Sequence, residues 1–240
     1  MQIRRERGGR SPFKKYVWIE HFTATRYYSP MLKTTPESPA TFDTLSKFML
    51  SYSVLRAYIK APLSFLVGTA VRVGGFKKTL PDDVEPEIAD ALSLQALMYI
   101  RLKERVGEEK AFEVMRALLI PASLAVFGAG FRVVESPRTF DNLVDYHQKG
   151  AKEGIARFND IETVERTDSR YEYKTNFCAF YDFFQKAGVP ELTHILCDID
   201  YALYNTYLAG DVRFHRHDPD NTLPKGAQCC RFVFEKVKPQ

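Results

Sequence analysis

The 240-residue chain lacks the short motifs that most often announce a function. It has no G-x-G-x-x-G, no phosphate-binding P-loop, no H-E-x-x-H and no G-x-S-x-G, so nucleotide, zincin and serine-hydrolase readings lose their usual support. No C-x-x-C and no H-x(3–5)-H pair occurs, which removes the spacing of a closed zinc site. The longest uncharged run, 117–131, is fifteen residues and contains Pro121. A bilayer crossing wants about 20 residues, so a buried helix is expected there and no membrane span. No hydrophobic segment follows the basic start, because Ser11, Pro12, Lys14 and Lys15 interrupt it; a secretory signal is not expected, and the chain reads as cytoplasmic. With only four cysteines in such a chain, a disulfide framework is disfavoured.

Positive charge is also scarcer than the formal +4 suggests. The first fifteen residues hold six basic side chains against Glu6, leaving 28 basic and 29 acidic residues elsewhere. A near-neutral body lacks the broad basic face of a nucleic-acid binder, so a small-molecule substrate is the expected partner and no nucleic acid. A homo-oligomer stays open.

What is present divides by hydrophobic period. Residues 1–40 carry Gly8, Gly9, Pro12, Pro30, Pro36 and Pro39 without sustained periodicity, and read as a basic, loosely structured arm. Residues 41–158 read as a helical region. One helix runs from about Phe42 to Ile59 and stops before Pro62. A second starts at Pro86 after the carboxylates of Asp82, Asp83 and Glu85, and reaches Gly107. A third opens at Glu108 and should kink or break at Pro121, and a weaker one covers Phe140 to about Phe158. After residue 160 the period turns strand-like. Tyr171, Tyr173, Thr175 and Phe177 alternate with polar residues, a short helix follows Cys178, a longer one runs from Glu191 to about Leu208, and strands are expected at 212–217 and 230–237. The fold class is α+β: a helical N-terminal half packed with a C-terminal antiparallel sheet and two helices, with 159–240 carrying the chemistry and 41–240 sharing one domain.

All four cysteines, Cys178, Cys197, Cys229 and Cys230, fall in that C-terminal region. On the helix from Glu191, the stripe Leu192, Ile195, Leu196, Ile199 and Leu203 leaves Asp200 at its border, with Cys197 and Tyr204 beside it. Cys230 shares a strand face with Phe232 and Phe234 and should point inward, Cys229 outward. Cys178 stands at a helix N-terminus, which is expected to lower its thiol pKa. If helix covers sheet, Cys178, Cys197, Asp200 and Cys230 converge as candidate catalytic residues, the parts of a covalent or general-base hydrolytic site. The plain alternative is a polar-edged core in which the cysteines pack and Asp200 caps a backbone group. His215 and His217 alternate opposite Val212 and Phe214 and read as a solvated face; no carboxylate is placed to complete a metal site with them. His194 is a candidate base, while His21 and His147 carry no pattern.

The run from Asn176 through Cys178 and Gly188 to Leu192, then Cys197 to Asp200, then Phe214 to Arg216, and on through Thr222, Leu223 and Gly226 to Cys230 and Phe232, resembles the L-2-amino-thiazoline-4-carboxylic acid hydrolase family. The likeness covers about residues 160–240, with 107–111 fitting more loosely; Arg231 stands where an acidic residue is expected. The resemblance implies a cofactor-independent hydrolase that opens a small cyclic amidine or amide at a non-peptide carbon–nitrogen bond, giving a carbamoylated cysteine. On that reading Cys178 or Cys230 attacks the ring carbon, or Asp200 activates water. Arg216 receives an anionic group, with Tyr204, His194 and Tyr181 completing substrate binding. Two other readings use the same scaffold: a cyclase or isomerase with an aromatic pocket, and a non-catalytic small-molecule binding module.

Overall fold

Proline and glycine place the ends of the helices, though not always in the expected sense. The computed structural model describes residues 44–134, 139–153, 155–207 and 210–237, so the arm expected over 1–40 lies outside the described residues. Helix α1 spans Thr44–Leu55. Pro62 does not close a helix; it opens α2, Pro62–Ala70, because a proline in the first turn has no N–H to lose. A single short turn, α3 (Val73–Lys77), follows. Neither α2 nor α3 was separated from its surroundings by the sequence pattern. Helix α4, Pro86–Val106, begins at Pro86 and ends at Gly107, and α5 covers Glu108–Val134. The break expected at Pro121 does not occur. A proline removes one backbone bond, and α5 is held on both sides by packing against α4 and the long C-terminal helix. Helix α6 spans Phe140–Glu153, and a 3-10 turn covers Ile155–Phe158.

The second half is built on a four-stranded antiparallel sheet in the order β1-β2-β4-β3, with β1 at Asp160–Arg166, β2 at Arg170–Phe177, β3 at Val212–His215 and β4 at Cys230–Lys236. Helices α7 (Ala179–Lys186) and α8 (Leu192–Tyr207) lie between β2 and β3. The architecture is therefore α+β with a helical N-terminal half. Register pairs Tyr173 with Phe232, Tyr171 with Phe234 and Thr175 with Cys230, so one sheet face is aromatic and apolar. The other face carries Arg170, Glu172 and Lys174 of β2 beside Arg231 and Glu235 of β4.

Two apolar clusters result. One joins α1, α2, α4, α5, α7 and the first half of α8, through Leu55, Phe65, Tyr99, Met115, Phe184 and Ile195. The other joins α6 to the sheet through Leu143, Val144, Tyr171, Phe214 and Phe234. Helix α8 serves both, because Leu192, Ile195 and Ile199 belong to the first and Leu203 to the second. Asp200 lies on the turn of α8 between Ile199 and Leu203.

Candidate functional site

Asp200 accepts a hydrogen bond at Oδ2 from Nη2 of Arg216 at 2.6 Å. The guanidinium is 1 % exposed, and its Nη1 donates to the Arg231 carbonyl at 3.1 Å. Arg216 follows β3 by one residue and continues the inward phase of Val212 and Phe214, which brings it beneath the sheet with its guanidinium carbon 4.0 Å from the centre of the Phe232 ring. Its Nε is buried and has no partner among the described residues. Arg216, expected to receive an anionic group, is placed with its guanidinium bonded to Asp200 and to a backbone carbonyl.

The side chain of Asp200 keeps 28 % of its accessible surface, so it faces a recess rather than solid packing. Burial pushes its carboxyl up, Arg216 pulls it down, and the outcome is about 6. Only Oδ2 is taken; Oδ1 accepts no hydrogen bond among the described residues. Burial also works against the charged form of Arg216, but the neighbouring carboxylate holds it above the ordinary arginine value.

The structure brings Cys178, Cys197 and Cys230 to the same place, near enough that the charge of Asp200 opposes ionisation of each thiol. Cys197 lies one helical turn before Asp200. Cys230 opens β4 facing inward, and its sulfur accepts the Leu223 N–H at 3.2 Å. That amide is presented by a 3-10 turn, Leu223–Lys225, which closes through Gly226 at a φ of 87° that favours glycine. Cys178 sits at the N-cap of α7, where the Tyr181 and Phe180 amides favour its thiolate. The expected low thiol pKa is nevertheless reversed: burial is the largest influence and pushes Cys178 up to about 11. Cys197 and Cys230 are raised as well, first by burial. All three are neutral thiols near pH 7.

The remaining candidates divide. The hydroxyl of Tyr204 is hydrogen-bonded with Tyr173, and its ionisation is opposed by burial and by Asp200. Tyr181 contributes its backbone amide to Cys178, and no hydrogen bond of its phenol is found among the described residues. His194 does not join the group: its surroundings are Lys225, Asp198 and Glu191, because six residues on a helix carry it away from Asp200. Cys229 points outward and lines an open depression of about 610 Å³ with His217, Asn221, Gln228 and Arg231. That depression lies on the other side of β4 from Cys230, and neither Asp200 nor the buried thiols line it.

One residue passed over in the sequence sits in this neighbourhood. His147 of α6 packs against Tyr204, Phe234 and Tyr173, with ring centres 4.9, 4.9 and 5.7 Å away. Burial lowers its pKa to about 3, so it is neutral. Its signal was available, because Phe140, Leu143, Val144 and His147 follow the i, i+3, i+4, i+7 spacing of a core-facing stripe. Asn159 was also missed; its Oδ1 accepts the Ala179 N–H at 2.8 Å and so ties the start of α7, beside Cys178, to the residue between the 3-10 turn and β1.

Among known families, residues 87–234 match the model of L-2-amino-thiazoline-4-carboxylic acid hydrolase. No curated protein and no solved structure matches the chain. The matched span runs from the second residue of α4 into β4 and contains every residue of the Asp200 recess described above.

Proposed function

Because the chain belongs to the L-2-amino-thiazoline-4-carboxylic acid hydrolase family, we propose that it opens a small cyclic amidine by hydrolysis of a non-peptide carbon–nitrogen bond. The observation that carries the reading is a buried carboxylate poised near 6, with one oxygen fixed by Arg216 and the other open to a recess. A general base works best when its pKa lies near the working pH.

Asp200 takes a proton from water at Oδ1 as the water oxygen adds to the ring carbon between two heteroatoms. That proton passes to the ring nitrogen. The adduct then breaks its bond to this nitrogen, while Asp200 relays the remaining hydroxyl proton to it. Both water protons end on the departing amine and the oxygen on a carbamoyl group, and Asp200 is regenerated as a carboxylate. Arg216 opposes the effect of burial on Asp200 and fixes which oxygen exchanges protons. Cys178, Cys197 and Cys230 surround the ring as uncharged groups, since attack by a thiolate would require ionisation that burial opposes.

The test is turnover of L-2-amino-thiazoline-4-carboxylate, followed as ring opening across pH. Activity is expected to rise through an acid limb near 6, the value of Asp200. Asp200→Asn is expected to lose about a thousandfold in kcat with an unchanged circular dichroism spectrum. Full turnover by Asp200→Asn, or a limb near the Cys178 value of about 11, defeats the base assignment.

A further inference from the structure

Residues 44–81 contain six basic side chains and no acidic one. Helix α2 lies in the middle of this stretch. Phe65, Leu66 and Thr69 face the core, while Leu63 and Val67 are each 52 % exposed, and Val71, immediately after the helix, is 74 % exposed. These three residues are spaced i, i+4, i+8 and form one uninterrupted apolar row on the outside.

Beside that row the guanidiniums of Arg72 and Arg101 converge over Gly68. A Cβ placed on Gly68 meets Nη1 of Arg72 at 3.2 Å and Nη2 of Arg101 at 3.4 Å. Arg72 donates to the Gly68 carbonyl at 2.8 Å, and Arg101 donates to the Phe65 carbonyl at 3.3 Å and to Thr69 Oγ1 at 2.5 Å. Arg105 stacks over the Phe65 ring at 4.8 Å, next to Arg101 at 5.0 Å from the same ring. Among the described residues none of the three arginines forms an ion pair, although each keeps further N–H donors. Burial, then the charges of Arg72 and Arg105, hold Arg101 below the ordinary arginine value. Glu104 offsets this only in part, and three like charges with no carboxylate in ion-pair contact among the described residues are relieved by an external anion.

We propose that α2 and the arginines beside it form a docking face for an anionic phospholipid surface, with lipid phosphate bridging Arg72 and Arg101 and the row Leu63, Val67, Val71 entering the headgroup boundary. The apolar row on α2 is flanked by Arg72, just after the helix end, and by Arg101 and Arg105 of the neighbouring α4, so apolar and cationic groups stand side by side as on a surface that lies in a membrane interface. Two further cations on the same stretch, Lys60 and Lys78, are exposed and add to the field. A second copy of the chain is disfavoured as occupant, because pairing this face with itself opposes basic stretch to basic stretch.

Flotation of the full chain with vesicles of phosphatidylcholine, and with the same vesicles containing phosphatidylglycerol, tests the proposal. Binding is expected only to the anionic vesicles and is expected to fall as salt rises. Replacing both Arg72 and Arg101 by Gln is expected to weaken it about thirtyfold. Lys60→Glu with Lys78→Glu, at exposed positions that bear no load in the core, is expected to weaken it similarly, and Val67→Asp with Val71→Asp to abolish it while leaving the melting curve in place. The proposal is overturned by equal flotation with neutral vesicles or by none with anionic ones, and equally by flotation indifferent to these variants. Protection by inorganic phosphate without vesicle binding assigns the arginines to a free anion instead. A dimer in solution that Val67→Asp with Val71→Asp dissolves assigns the row to a second copy.

Discussion

The two faces of the sheet each hold a shielded carboxylate beside arginine, and they treat it in opposite ways. On the inner side, Asp200 has one cationic partner, and burial raises it to about 6. On the outer side, Glu172 has a side chain only 6 % exposed, less than that of Asp200, and yet its carboxyl is lowered. Burial works against Glu172 too, but Arg170 at 2.7 Å, Arg231 at 2.8 Å and His217 at 3.0 Å share its two oxygens and outweigh it. The difference lies in the number of donors. Three donors make Glu172 a structural anion; a single guanidinium and an open oxygen leave Asp200 able to exchange a proton. This is also why Arg231 stands where an acidic residue was expected: its side chain belongs to the outer network and not to the recess.

The sharpest way to break the comparison is to take the single partner from Asp200. Arg216→Met leaves a carboxylate enclosed without compensation, and the expected cost is about 3 kcal/mol of stability, read as a lower urea midpoint. In the same variant the Asp200 carboxyl is expected to rise further, moving the acid limb of the pH–rate profile upward. A limb that stays near 6 shows that Arg216 does not set the value.

Glu172→Gln tests the other face with a smaller effect, about 2 kcal/mol at neutral pH. Its pH dependence carries the opposite sign from that of Asp200. The folded pKa of Glu172 lies below its ordinary 4.5, so its contribution is present above that value and lost as pH falls through the lower, folded one. The folded pKa of Asp200, about 6 against an ordinary 3.8, contributes stability that is complete below about 3.8 and lost as pH rises through about 6. Glu172→Gln should therefore flatten the acid side of a stability profile, and Asp200→Asn the segment between the two Asp200 values. Identical profiles for the two variants refute the distinction between the faces.

Much of this arrangement was legible in residue spacing. The stripe on α8 put Asp200 at the edge of the core, and alternation on β4 turned Cys230 inward and Cys229 outward. The strand β1 was not separable, because an edge strand exposed along most of its length shows no half-buried alternation. The Arg216–Asp200 pair was within reach and missed. Val212, Phe214 and Arg216 share one phase, so the arginine had to point inward, but it was read as the receiver of an anionic group and its carboxylate partner lay on another element. His147 went unread for a related reason, a polar residue on an apolar stripe. The thiol values were not accessible at all from sequence, since a helix N-terminus is visible in a pattern and the depth of its burial is not.

Cys178 gives the smallest expected effect and isolates that last point. It stands at the N-cap of α7, where the positive end of a helix favours a thiolate, and it lies deep enough that burial wins. With Cys229 replaced by Ser to remove the outward thiol, alkylation of Cys178 by iodoacetamide at pH 7 should run about a hundredfold slower than that of free cysteine. The rate should climb with pH toward the Cys178 value of about 11. In the same background Cys178→Ser should cost less than about tenfold in turnover, because a neutral thiol that packs against a ring is replaced by a neutral hydroxyl. Rapid alkylation at neutral pH together with loss of all turnover in Cys178→Ser returns the chemistry to a cysteine nucleophile. The two carboxylates would then differ only in their structural duties.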